Sequence, residues 1–273
     1  MTNQPETRDG EGLALFYRDP QPLSLALHGD WRLKDGDLAF AADTPFAPIV
    51  VGELMAASAD YPVLFASETA QPIVALSLER SNLFVADGAW EAGAYVPAYV
   101  RRYPFGFIST INPEGFALAI DAGSERVARG GEEGAPLFEN GAPTDLTRQA
   151  LSFCDAFQRE AAATQAFGAA LKAQGLLIDQ RADATLSDGR KVGLDGFQVV
   201  DAERFAQLAD AVVVEWHRKG WLALVHFHLA SLDRFRALLD RAGRAPGPAE
   251  VSKPSSDAGK SAGKSGPRSP KKD

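Results

Sequence analysis

Between Leu23 and Asp121 the sequence reads mostly as short strands punctuated by closely spaced turn signals. The runs Leu23–Leu27, Pro62–Ala66, Ile73–Leu78, Asn82–Val85, Phe105–Ile111 and Phe116–Ile120 are each of strand length, with turn residues between them. A parallel crossover needs a dozen or more residues, so this spacing favours antiparallel pairing. Asn112 to Gly115 joins the last two runs as a hairpin turn, and residues 52–59 suit one short helix.

An irregular acidic loop over residues 123–143 follows, and then the clearest helix in the chain. Leu146, Ala150, Phe153, Phe157, Ala161, Thr164, Phe167 and Leu171 recur at steps of three and four, which marks one buried face over about residues 145–174. Thr144 or Asp145 suits its N-cap and Gly175 its stop. Arg181 to Leu194 reads as a hairpin with Asp188-Gly189 at its tip, continued by a strand from Gly196 to Val200. Asp201 can cap a helix through Leu208, and a second helix, Asp210 to Lys219, ends at Gly220. Trp221 to Phe227 suits strand or buried helix, and Ser231 can cap a last helix, Leu232 to Ala242. The predicted class is α+β: mostly antiparallel sheet in the N-terminal half, one long amphipathic helix, then mixed hairpin and helices. The expected organisation is a flexible N-terminus over residues 1–20, a body over 21–243 and a tail over 244–273. The body can be one unit or two subdomains meeting near 123–143.

From Pro246 to Asp273 there are six Lys or Arg against three acids, one aliphatic side chain larger than Ala (Val251) and no aromatic ring. Such a composition cannot bury enough surface to offset its ordering entropy, so a disordered basic tail is expected. The whole chain carries −8 and this segment +3, which leaves −11 on the body. An acidic body repels phosphate backbones, so a nucleic-acid partner is disfavoured. Cys154 is the only cysteine, which excludes an intramolecular disulfide and a thiolate metal cluster. The polar first twelve residues lack the apolar run of a signal peptide, and no uncharged stretch approaches the roughly 20 residues that span a bilayer. A soluble, cytoplasmic protein is expected.

The candidate binding segment is Tyr95 to Phe107, which packs three Tyr, two Phe, two Pro and the pair Arg101-Arg102 into thirteen positions. Pro97 suits the first turn of a short helix, and Pro104 disfavours helical geometry at Tyr103. A helix of one or two turns places Tyr99 beside Arg102 and Tyr103 and sets both arginines near its negative end. Tyr95, Tyr99, Tyr103, Arg101 and Arg102 are thus the candidate ligand-binding residues. Two readings stand: structural arginines paired with body carboxylates and stacked on Tyr, or a clamp for a peptide carboxylate or other anion.

His226 and His228 alternate with Val225, Phe227 and Leu229, so on a strand they share one face and make a candidate metal pair. A third ligand would have to come from His217, His28 or an acid such as Asp233, and no His-Glu-x-x-His helix is present. Gly130 to Gly134 lacks the lysine of a phosphate loop, and Glu132 and Glu133 would repel phosphate. Cys154 follows Phe153 inside the long helix with no adjacent His or Lys to activate it. No Gly-x-Ser-x-Gly elbow exists.

Several segments in order, Tyr61–Phe65, Asn82–Val85, Trp90–Phe105, Pro136–Phe138, Ser187–Lys191, Gly196–Asp201 and His228–Leu232, resemble the SapC family, named for a gene of a bacterial surface-layer operon. The likeness runs from about Leu23 to Leu239. It implies a soluble bacterial accessory protein linked to the surface layer or to peptide export and processing, with no reaction attached. The expected function is therefore a non-enzymatic module that recognises a peptide or protein partner, without a cofactor. The alternatives are a metal-dependent enzyme using His226 and His228, and a structural subunit of an oligomer.

Overall fold

Val63, Leu64 and Phe65 are all fully buried. Successive strand residues point to opposite faces, so a strand with that pattern must be covered on both sides. In the computed structural model, which describes residues 6–7, 15–112, 114–186 and 188–244, Val63–Ala66 is the middle strand of a five-stranded sheet. The order is Leu177–Thr185, Lys191–Val200, Val63–Ala66, Pro72–Ala75, Phe46–Pro48, and every pairing is antiparallel. Strands from both sides of residues 123–143 therefore share one sheet. A second antiparallel sheet runs Glu6–Thr7, Phe105–Asn112, Glu114–Asp121, Pro20–Pro22.

The long helix spans Asp145–Ala173. The Thr144 side chain accepts a hydrogen bond from the Thr147 N–H, and Gly175 ends the helix in the left-handed region at φ 62°. Phe167 and Leu171 enter the main core, whereas Cys154 packs with Trp31, Phe105, Ile120 and Leu137 in a second one, so a single helix closes both. Gly168 has its own reason: a Cβ there would lie 2.7 Å from the Ala70 carbonyl oxygen. The hairpin Leu177–Thr185 to Lys191–Val200 and the helices Ala202–Ala206, Asp210–Arg218, Trp221–Ser231 and Arg234–Arg244 follow.

Several sequence expectations are corrected. Leu23–Leu27 is not a strand: the pairing with Glu114–Asp121 is made by Pro20–Pro22, and the chain then turns into the helix Leu25–His28. Leu25 and Leu27 remain exposed there, so burial gives that run no reason to extend. Asn82 breaks the next expected strand. Its Oδ1 accepts the Phe84 N–H at 2.9 Å and its Nδ2 donates to the Ala41 carbonyl, an Asx turn that leaves only Val85–Ala86 to pair with Ala89–Trp90. The loop over 123–143 is less irregular than expected, since Val127–Arg129 and Ala135–Pro136 flank Trp31–Leu33. Trp221–Ser231 is helix, and Ser231 ends it rather than capping the next one. Phe16 and Tyr17, assigned to a flexible N-terminus, are buried among Phe40, Tyr99 and Tyr103. The expected basic tail beyond Arg244 and Pro113 of the hairpin turn lie outside the described residues. Among those residues no helix is long and apolar enough to cross a membrane.

Candidate functional site

The Tyr95–Phe107 segment is held by three buried or half-buried acids. Glu53 Oε1 accepts the Tyr95 hydroxyl at 2.9 Å and the Ala98 N–H at 2.6 Å, the latter an otherwise unpaired donor at the start of the helix Ala98–Arg101. Asp60 accepts the Tyr95 N–H. Fully buried Asp121 accepts the Tyr103 hydroxyl at 2.8 Å on one oxygen, and the N–H groups of Arg18, Asp19 and Gly123 on the other. Tyr95 and Tyr103 are therefore committed internally. Burial first, and then the Glu53 carboxylate, push the Tyr95 phenol up to about 12.

The arginines have a different fate. Phe153 and Phe157 stand one helical turn apart on the long helix, and each receives one guanidinium. Arg101 lies 5.3 Å from the Phe153 ring centre and 5.8 Å from that of Tyr95, and it donates to the Val96 carbonyl and the Tyr95 hydroxyl. Arg102 is sandwiched between Tyr99 at 4.1 Å and Phe157 at 4.4 Å, with Tyr17 at 5.7 Å. Arg101 is exposed; Arg102 is only 7% exposed. Neither makes an ion pair among the described residues, and the buried Arg102 Nε has no hydrogen-bond partner. A buried guanidinium without an acid is unusual, because leaving water costs several kcal/mol that a partner normally offsets.

Arg102 forms a wall shared by two cavities. The larger, about 530 Å³, is lined by Tyr99, Phe157, Val50 and Pro48, by Phe107 and Phe116, and at its rim by Gln158 and Gln165 of the long helix. Phe116 sits opposite Ser109 in the hairpin register, which puts Phe116, Ser109 and Phe107 on one face of the sheet. Among the described residues Arg102 is the only charged one in that lining. The smaller cavity, about 250 Å³, is lined by Arg101, Arg102 and Arg126 together with Gln149, Phe153 and Cys154. Burial pushes the Cys154 thiol up to about 11, so it is neutral at physiological pH despite the nearby Arg102.

The histidine pair is separated. On a helix, residues two apart point about 200° from each other, so the shared face available on a strand is lost. His226 meets the Phe205 ring edge-on. His228 is fully buried: its Nδ1–H donates to the Val63 carbonyl at 2.8 Å and its Nε2 accepts the Val200 N–H at 3.0 Å. Ser231 Oγ accepts the Val63 N–H and donates back to the His228 carbonyl. His228 thus bridges two strands of the five-stranded sheet with neither ring nitrogen left for a metal. Among the described residues no group of three or more His, Cys, Asp or Glu is placed to hold one.

This arrangement makes stability depend on pH. Burial lowers the His228 imidazole from 6.5 to about 4, and protonation would also set an N–H against the Val200 N–H. The unfolded chain then binds the proton where the folded one does not. The contribution of His228 is full above pH 6.5 and is lost as pH falls through 4, with on the order of 2–3 kcal/mol gone by pH 4.5. Denaturant melts from pH 7.5 to 4.5 should show this slope, and it should flatten in His228→Gln.

Of the five candidate ligand residues, the structure brings Arg102 and Tyr99 to the large cavity and Arg101, Arg102 and Tyr103 to the small one, and it sets Tyr95 behind them as a support. Phe116, Arg126 and Gln149 escaped sequence reasoning as site residues, and Phe107 was seen only as part of the Tyr95–Phe107 segment. Phe153 and Phe157 were legible only as a buried helix face, although their four-residue spacing matches two adjacent arginines.

Fold and site together define an α+β protein with a buried guanidinium, without an acid partner among the described residues, between an apolar and a cationic hollow. The SapC family model matches residues 23–238, and the chain belongs to that family. No curated protein and no solved structure matches it.

Proposed function

We propose that this chain is a non-enzymatic binding protein whose ligand is a peptide segment with an apolar side chain and a free carboxylate. The observation that supports it is Arg102, a desolvated cation with no carboxylate partner among the described residues, at the wall of an aromatic-lined cavity. In such a place a bidentate carboxylate gains a charge-assisted pair in low dielectric, and the flanking rings fix the plane of the fork. The apolar side chain takes the space between Phe107, Phe116, Phe157 and Val50, and the amides of Gln158 and Gln165 suit a peptide backbone at the rim. A partner linked to the surface layer or to peptide export and processing would fit this reading, with the protein acting in the cytoplasm.

N-acetylated tetrapeptides ending in Leu or Phe test this reading directly. By calorimetry the free acids are expected to bind and their C-terminal amides to lose at least about tenfold, the loss of one charge-assisted bond. Equal affinity of acid and amide would remove the carboxylate from the argument. Phe116 is 55% exposed and contributes little to the core. Phe116→Ala should weaken the free-acid peptides by about tenfold, from the lost aromatic contact, while the melting temperature stays put.

A further inference from the structure

The smaller cavity has a composition that a carboxylate clamp does not need. Arg101, Arg102 and Arg126 all line it, and among the described residues no carboxylate does. Arg126 donates from Nη1 to the Tyr103 carbonyl at 3.1 Å, but its Nε is buried without a partner, as is that of Arg102. Three guanidiniums, the exposed Arg101 at the mouth among them, repel one another across about 250 Å³. The uncharged Gln149 adds an amide from the long helix. The fork geometry of arginine matches tetrahedral oxoanions as well as it matches carboxylates, and three forks around one hollow exceed what a single negative charge requires.

We propose that this cavity is a phosphate-class site, taking a dianionic oxoanion either free or as the monoester terminus of a larger ligand. The site goes beyond the peptide reading and shares only Arg102 with it; Arg101, Arg126 and Gln149 serve the oxoanion alone. Its position next to the apolar cavity means that one guanidinium feels both occupants, so filling either cavity changes the charge seen by the other.

The test is titration of the full chain with inorganic phosphate and, separately, with phenyl phosphate, at pH 7.5 and constant ionic strength set by chloride. One equivalent should bind with Kd below about 1 mM, an affinity that three charge-assisted contacts reach readily. Binding of both probes identifies a free-oxoanion site, and binding of phenyl phosphate alone identifies a phosphomonoester site. Silence from both overturns the proposal. Arg126→Gln should lose at least tenfold. Because Arg126 also contacts the Tyr103 carbonyl, the surface variant Gln149→Glu serves as the second probe. It places a carboxylate in the cavity and should abolish phosphate binding with no loss of melting temperature, while free-acid peptides still bind. Phosphate binding that survives Gln149→Glu unchanged places the anion elsewhere and refutes the assignment. Equal affinity of peptide acids and amides, with phosphate binding intact, would overturn the peptide reading alone.

Discussion

Arg102→Met is expected to abolish recognition of free-acid peptides while leaving the protein as stable as the parent. The guanidinium is desolvated among Tyr99, Phe157 and Tyr17, and its stacking contributes about 2 kcal/mol at most against a desolvation cost of several. Methionine keeps an unbranched apolar stem between the rings and removes a charge that no acid among the described residues answers. The two effects nearly cancel, so the melting temperature should stay within about 2–4 °C of the parent, the shift that 1 kcal/mol produces in a protein of this size. Peptide affinity should fall by at least about 30-fold, since removing one side of a buried charge pair costs about 2 kcal/mol or more. A structural arginine predicts the reverse. Calorimetry and thermal melts on the same preparation decide between them: a melting point lowered by more than 10 °C would mean that Arg102 holds the fold and waits for no ligand.

Asp121→Ala should instead be among the most destabilising single changes. The carboxylate gathers three N–H groups, from Arg18, Asp19 and Gly123, and the Tyr103 hydroxyl. Truncation strands all four donors, two of them on the segment that carries Phe16 and Tyr17 into the aromatic core. At about 1 kcal/mol or more for each orphaned donor the loss is about 4 kcal/mol, or about 8–16 °C in melting temperature. Asp121→Asn retains one oxygen for the three N–H groups and turns an amide toward Tyr103, whose hydroxyl can accept from it. Its loss should be under half that of alanine. Equal damage from both substitutions would show that charge, not acceptor count, ties the segment down.

The parts of the fold legible in the sequence were those set by local chemistry. The long helix announces itself by a one-sided pattern, a capping threonine and a terminal glycine, and the hairpin tip at Asp188-Gly189 by its turn residues. Periodicity fails where a side chain replaces a neighbour in the ladder. Asn82 reads as part of an apolar run, yet its amide makes the bonds that a strand would have made. His228 and Ser231 read as an alternating or capping pattern, yet both reach back 165 or more positions to the backbone of Val63. The site divides along the same line. The arginine pair and its tyrosines are visible as a cluster, and so is the pairing of Arg102 with Tyr99. Which phenols are spoken for is not, because Glu53 and Asp121 lie at distant positions that nothing in the segment marks. The oxoanion cavity was beyond reach for a related reason, since Arg126 comes from a loop that reads as acidic.

The five-stranded sheet has a consequence for how this chain is made. Its central strand, Val63–Ala66, finishes its pairing only with Lys191–Val200, well over a hundred residues downstream. During synthesis the first strands emerge with one margin open, and that margin stays available to other chains until the ribosome has added the last hairpin. Biogenesis should therefore be slow and post-translational, with a window in which a chaperone or a second nascent copy competes for the same edge.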